Sequence, residues 1–327
     1  MRIAVTGSIA TDHLMTFPGR FSEQLLSDSL EHVSLSFLAD RLDVRRGGVG
    51  ANIAFGLGRL GLRPVLVGAA GLDFTEYDGL LRAAGVDTAW VRVSDTLHTA
   101  RFVCTTDDDQ NQIATFYAGA MAEARAISLA EVGRGCGGLD LVLVGADDPQ
   151  AMLRHTRIAH DLDVAVAADP SQQLARLDGR QARALVDGAR WLFTNEYESA
   201  LLLERTGWSA REVLRRVGVW VTTRGAEGVT IDSARTTTVA VPAVPAGTGG
   251  EPTGAGDAFR AGFLAGIARE LTCESAARLG CALATLALES VGTQEYKLVG
   301  AELVSRIDRA YGRAAARSVE PLLAGVA

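Results

Sequence analysis

Lysine is nearly missing: Lys297 is the only one in 327 residues. A Walker A Gly-Lys pair and the strand lysine of protein kinases are therefore excluded. Any phosphate must be held by backbone N–H groups, arginine or a metal. Cysteine is sparse as well. Cys104, Cys136, Cys273 and Cys281 show no close pairing, which removes zinc and redox motifs and fits a reducing, cytoplasmic compartment. The five histidines are scattered, with no His-Glu-x-x-His. Basic runs are absent and the net charge is -7, which argues against a nucleic-acid surface. No apolar run is long enough for a membrane span. Met1-Arg2-Ile3-Ala4-Val5-Thr6 reads as a first strand rather than a signal peptide. That strand also lacks the Gly-x-Gly-x-x-Gly turn of a nicotinamide-dependent oxidoreductase. With no repeat, linker or low-complexity stretch, and 48% apolar content, the chain reads as a single domain with a sizeable core.

What is present is strand–helix alternation. Ile3 to Thr6, Pro64 to Gly68, Leu139 to Gly145, Val164 to Ala168, Trp191 to Thr194 and Val219 to Thr222 read as buried strands. Between them lie helical patterns such as Pro149 to Asp161, so the expected fold is α/β, with a mostly parallel central sheet flanked by helices. Val229 to Asp232 and Thr236 to Val244 are expected as an antiparallel edge pair. Helices are expected at Glu274 to Glu289 and Gly300 to Ala316. The carboxyl ends of the parallel strands run into polar residues or glycine, where such sheets gather ligands. Asp12 is placed there to accept from sugar hydroxyls, or to serve as a turn carboxylate. Asn195 and Glu198 share one face of a helix start, suited either to magnesium held through water or to an N-cap box.

Two segments break the alternation. Val33 to Phe37 and Arg41 to Val44 show period two, and Thr99 to Thr106 and Gln112 to Tyr117 flank a polar turn. They are expected to pair as a small β lid, about residues 13–46 and 96–119, over the ligand edge. Phe102 and Phe116 sit on its arms. They either clamp a flat base, at ~1–3 kcal/mol per stacked base, or form a lid core or a dimer contact. The lid strands would leave an open edge, which motivates a homodimer through the lid.

The chemistry is expected at Glu251-Pro252-Thr253-Gly254-Ala255-Gly256-Asp257-Ala258-Phe259. Its glycines permit close approach to a ligand, and Phe259, Phe263 and Ile267 continue at helical spacing. The glycines thus sit at a helix mouth, where free N–H groups and the dipole suit an anion. Asp257 at that mouth is expected to stay ionised and to accept a proton. An anion cradle beside a base reads as phosphoryl transfer to a hydroxyl, with a Gly-rich turn capped by Asp257 as the bland alternative. A second Gly-rich helix start, Gly47-Gly48-Val49-Gly50-Ala51-Asn52, again allows close approach, and Asn52 offers donor and acceptor.

The order of these signals resembles the ribokinase-like (PfkB) carbohydrate kinase family. The likeness runs through Gly7 and Asp12, Gly47-Gly48-x-Gly50-x-Asn52, Asn195-x-x-Glu198, Thr223-x-Gly225-x-x-Gly228 and Thr253-Gly254-Ala255-Gly256-Asp257, from Met1 to at least Thr293. It implies Asp257 as general base and Gly254, Ala255 and Gly256 as anion hole. It implies Asn195 and Glu198 for magnesium and phosphates, with Glu198 the metal residue. Thr223, Gly225 and Gly228 would line ATP, and Asp12, Gly48 and Asn52 would grip the sugar. The family often holds a potassium ion behind the anion hole. Its usual Asp at the motif's first position is Glu251 here, which leaves that ion open. Within the family the chain looks like the bacterial adenosine kinases. That likeness puts adenine between Phe102 and Phe116, with Ser8, Ser36, Gln172 and Gln173 touching the nucleoside. It implies ATP-dependent phosphorylation of the adenosine 5′-hydroxyl, a purine-salvage step. The alternatives are a sugar kinase of ribokinase or fructokinase type and a catalytically silent nucleoside sensor.

Overall fold

The computed structural model describes residues 1–24, 36–247 and 252–326. Two sheets carry the fold. In chain order the strands are β1 (Ile3–Thr6), β2 (Ala10–Thr16), β3 (Arg41–Gly47), β4 (Val65–Ala70), β5 (Val91–Val93), β6 (Ala100–Thr106), β7 (Gln112–Tyr117), β8 (Leu141–Val144), β9 (Ala165–Ala168), β10 (Trp191–Asn195), β11 (Val219–Thr223), β12 (Val229–Ser233) and β13 (Thr236–Val241). The large sheet runs β13-β12-β11-β10-β9-β8-β1-β4-β5. It is parallel except where β12 and β13 fold back on β11. The small sheet runs β3-β2-β6-β7.

The helices are α1 (Phe21–Gln24), α2 (Val49–Arg59), α3 (Thr75–Ala83), α4 (Leu129–Gly135), α5 (Pro149–Asp161), α6 (Gly179–Val186), α7 (Glu196–Thr206), α8 (Ala210–Arg216), α9 (Ala255–Ala268), α10 (Cys273–Leu288), α11 (Gly300–Tyr311) and α12 (Arg313–Leu323). Because successive strand side chains point to opposite faces, each strand feeds two cores. Val5, Leu141 and Leu143 join α2, α9 and α10 on one face. Ala4, Val142 and Val144 join α5, α6 and α7 on the other. Local chemistry sets the helix starts. Asp148 accepts from the amides of Gln150 and Ala151 ahead of Pro149, and Ser209 makes a capping box with Glu212. No helix among the described residues is long and apolar enough to cross a membrane.

The structure departs from expectation in four places. The lid begins earlier than residue 13: β2 starts at Ala10, three residues after β1, and pairs with both β3 and β6. Residues 33–35 of the expected Val33–Phe37 strand lie outside the described residues, and Ser36 and Phe37 are not in a strand. Strand β13 stops at Val241 because Pro242 has no N–H to continue the ladder. The single helix expected over Gly300–Ala316 is two, broken at Gly312, whose φ of 83° no helix accommodates.

Candidate active site

The carboxyl ends of β1, β8, β9, β10 and β11 open beside the start of α9, and two cavities meet there. The larger, about 920 Å3, is lined by Asn195, Glu198, Thr223, Gly225 and Gly228, and by the α9 start from Gly254 through Asp257. The smaller, about 430 Å3, is lined by Ser8, Asp12, Gly48 and Asn52, by Phe102 and Phe116 of the lid, and by Gln172 and Gln173. Val49, Gln172, Gly254 and Asp257 line both. Of the expected residues, Ser36 alone lines neither; it is exposed. Glu251 lies outside the described residues.

Gly254 caps α9 in the left-handed region, φ 80°, with no side chain closing the cap. A Cβ there would come within 2.6 Å of the Thr293 side chain. The turn is pinned by Ala255 N–H donating to the Pro252 carbonyl, and the first helical bond comes from Ala258 to Gly254. The Gly256 and Asp257 amides therefore have no acceptor among the described residues. Unspent N–H groups at the positive end of a 14-residue helix suit an anion.

Asp257 stands half-buried where the cavities join, and Asn52 Nδ2 donates to its Oδ2 at 2.8 Å. Its carboxyl is pushed up to about 6, chiefly by burial and also by the like charge of Glu198, while Arg260 and Asn52 hold it down. Asp257 was expected to stay ionised, and with the carboxyl at about 6 it does so at neutral pH, although burial rather than the N–H donors sets the direction of the shift. Asp257 is ionised only above about pH 6, which is where a general base working near neutrality belongs.

Asn195 and Glu198 form both halves of a capping box, each bond 2.8 Å. The capping box leaves room for the magnesium reading. Glu198 Oε2 is spent on the Asn195 amide, Oε1 has no hydrogen-bond partner among the described residues, and the residue lines the larger cavity. One unpartnered carboxylate oxygen on a residue that lines a cavity with free amides suits Mg2+, which keeps most of its waters and takes only one or two protein carboxylates. No group of three or more His, Cys, Asp or Glu side chains poised for a metal occurs among the described residues.

Phe102 and Phe116 are direct cross-strand partners in the β6–β7 pair. Such partners point to the same face with Cβ atoms about 5 Å apart. They form a paired aromatic ledge with Asp12 on the same face, rather than the two opposed walls the sequence suggested.

Several residues had not been expected. Arg260, one turn beyond Asp257 and buried, donates from Nη2 to Asp169 Oδ1 at 2.7 Å and lies 3.9 Å from Glu198. Its spacing on α9 was a usable signal, since i and i+3 share a helix face. Burial pushes Asp169 up to about 7 against the pull of Arg260. Three carboxyls thus converge on one guanidinium. Arg176 lines the smaller cavity. Thr293 and Gln294 both bond Asn52 Oδ1, and nothing in their local sequence marked them.

Comparison with known proteins follows the same lines. The model of the pfkB family carbohydrate kinases matches residues 7–298. A solved nucleoside kinase of Burkholderia thailandensis, in complex with inosine, is 35% identical, with a TM-score of 0.83 over 95% of this chain and 98% of that one. The nucleoside kinase of Methanothermobacter thermautotrophicus is 32% identical over 87% of this chain and 92% of its own. The ribokinase of Bacillus subtilis is 28% identical over 89% and 94%.

Proposed function

The chain belongs to the pfkB family of carbohydrate kinases, and from that premise we propose that it is an adenosine kinase, transferring the γ-phosphoryl group of ATP to the adenosine 5′-hydroxyl. The observation that carries this is the sharing of Asp257 and Gly254 by two cavities, one edged by phosphate-binding features and one by an aromatic ledge. ATP fits the larger cavity, with its phosphates toward the α9 amides and Glu198. The nucleoside fits the smaller, its ribose toward Asp12, Gly48 and Asn52 and its base on Phe102 and Phe116. The hydroxyl to be phosphorylated then lies at the junction. Asp257 takes its proton, the oxygen forms a bond to the γ-phosphorus, and the bond to the β-phosphate oxygen breaks to release ADP. The Gly256 and Asp257 amides balance charge on the migrating group. Bound at Glu198, Mg2+ would neutralise charge on the phosphates.

A nucleoside acceptor is favoured over a plain sugar by the ledge, since ribose gains little from two aromatic faces. Adenine in particular is favoured by Gln172 and Gln173, because a Gln amide matches the donor and acceptor on the adenine edge. Relatives described as nucleoside kinases, one holding inosine, support a purine nucleoside. Purified protein is assayed with ATP against adenosine, inosine, guanosine, ribose and fructose. Adenosine is expected to show the highest kcat/KM. Preference for inosine or guanosine overturns the adenine assignment, and preference for ribose or fructose overturns the nucleoside reading.

The lid's outer face, opposite Asp12 and Phe102, carries exposed Leu42, Val44, Ile113 and Tyr117. A second copy of the chain covers this apolar face in the arrangement we propose, making a homodimer. Light scattering showing only monomer at micromolar protein refutes it.

A further inference from the structure

We infer that Gln294 and Tyr77 are positioning residues for Asp257, linking the end of a lid strand to the base through a chain of hydrogen bonds whose donors point outward from the Gln294 amide to both ends. The inference rests on the reading of Asp257 as base. The chain starts at the Gly47 carbonyl, the last residue of β3. That oxygen can only accept, so the buried Tyr77 hydroxyl donates to it, at 2.8 Å. Tyr77 has then spent its one hydrogen, and its oxygen accepts from Gln294 Nε2 at 2.5 Å. The second Nε2 hydrogen goes to Asn52 Oδ1 at 2.8 Å. With its oxygen facing donors, Asn52 must turn its NH2 toward Asp257, where Nδ2 donates to Oδ2 at 2.8 Å. Every direction follows from the acceptors at the two ends, a carbonyl and a carboxylate. Thr293 reinforces the same link. Its hydroxyl lies 2.9 Å from both the Arg46 carbonyl and Asn52 Oδ1, and its side chain fills the space a Cβ on Gly254 would need.

Burial makes the arrangement directional. Gln294, Thr293, Asn52 and Tyr77 are all buried, so their polar atoms are held mainly by one another, and Asn52 reaches the smaller cavity only at its lining. Were the Gln294 donor removed, Asn52 Oδ1 would keep only the Thr293 hydroxyl, whose one hydrogen also has the Arg46 carbonyl within reach, and the aim of the base would loosen. A shift of about 1 Å at a reacting group costs up to roughly a hundredfold in rate.

The experiment compares wild type, Gln294→Met, Tyr77→Phe and the double variant, with folding checked by circular dichroism. Gln294→Met is expected to lower kcat roughly ten- to a hundredfold and, because Asn52 also faces the ribose, to raise the acceptor KM by a smaller factor. Tyr77→Phe is expected to lower it less, and the double variant to match Gln294→Met alone, because one chain is being cut twice. A melting temperature that falls while kcat per folded molecule holds, or losses that multiply in the double variant, overturns the inference. If Gln294→Met fails to fold, Tyr77→Phe carries the same kcat test. Wild-type failure on every acceptor would instead sink the kinase reading. A substrate-free measurement separates the two. Solvent exchange of the Asn52 side-chain amide by NMR is expected to be slow in wild type and faster in Gln294→Met, and equal rates overturn the inference.

Discussion

Gly47-Gly48 opens α2 and Gly254-Ala255-Gly256 opens α9, and in sequence the two starts look alike. Both bring glycine to a helix mouth on the ligand edge, and both have a cap residue at positive φ, 95° at Gly48 and 80° at Gly254. They differ in where the first N–H groups go. At α2, Ser8 consumes them: Val49 donates to its Oγ at 3.0 Å, and Gly50 and Ala51 donate to its carbonyl at 3.1 and 3.3 Å. The glycines there serve backbone contact, since a Cβ on Gly50 would lie 2.7 Å from the Gly7 carbonyl. At α9 the Gly256 and Asp257 amides are free among the described residues. A Gly-rich helix start is therefore an anion site only if nothing upstream reaches its amides. That condition is tertiary, because Ser8 is 41 residues from Val49.

The largest expected effect belongs to the carboxylate that only the α9 start carries. Asp257→Asn should lower kcat by ~10²–10⁴-fold, the usual worth of a general base. Calorimetry should show nucleoside binding retained. Binding lost together with turnover would mean that Asp257 holds substrate rather than activating it. In wild type, kcat/KM should fall as pH drops through about 6, because the carboxyl raised to that value must be ionised to accept a proton. The same raised value means that the folded state binds this proton more tightly than the unfolded chain does. Its contribution to stability is thus present at acid pH and lost as pH rises from the ordinary carboxylate range through about 6. A limb that persists unmoved in Asp257→Asn would assign the titration to another group.

Next in size are paired alanine substitutions, one at each start. Gly254→Ala forces alanine to φ 80° and against Thr293, where the proposed reaction would bring the migrating phosphoryl group. The left-handed conformation alone costs about 1–2 kcal/mol, and turnover is expected to fall well beyond any loss of stability. Gly50→Ala presses on the Gly7 backbone, and overpacking of that kind costs about 1–3 kcal/mol. Its effect should appear mainly as a lower denaturation midpoint. A Gly50→Ala protein that melts normally but cannot turn over would erase the distinction between the two starts.

Much of this site was legible because its parts are local. Strand ends, glycine clusters and the Asn195–Glu198 spacing are patterns within a few residues, and the parallel sheet brings them to one edge. The α7 start shows the limit: the sequence offered a cap or a metal residue, and the structure spends one Glu198 oxygen on the cap and leaves the other open. Contacts made across the fold were not legible. Asp169 meets Arg260 from 91 residues away, and Gln294 meets Asn52 from 242. Burial also raises the Asp257 carboxyl in a way that its motif does not show, since desolvation depends on packing that no motif encodes. The aromatic ledge was misread as a clamp because cross-strand register, not residue type, decides that Phe102 and Phe116 face the same way.

The smallest expected effect comes from Ser8→Ala, which tests why α2 is not an anion site. The substitution removes the acceptor for Val49 N–H, and loss of a cap of this kind costs typically about 1 kcal/mol. It does not free the Gly50 and Ala51 amides, which bond the Ser8 main-chain carbonyl. Melting temperatures with and without sulfate should therefore drop by the same few degrees relative to wild type. The stabilisation by sulfate, assigned here to α9, should be unchanged. A larger gain from sulfate in Ser8→Ala would show that one hydroxyl is all that keeps α2 from binding an anion, and the contrast between the two helix starts would then rest on that hydroxyl rather than on the backbone path.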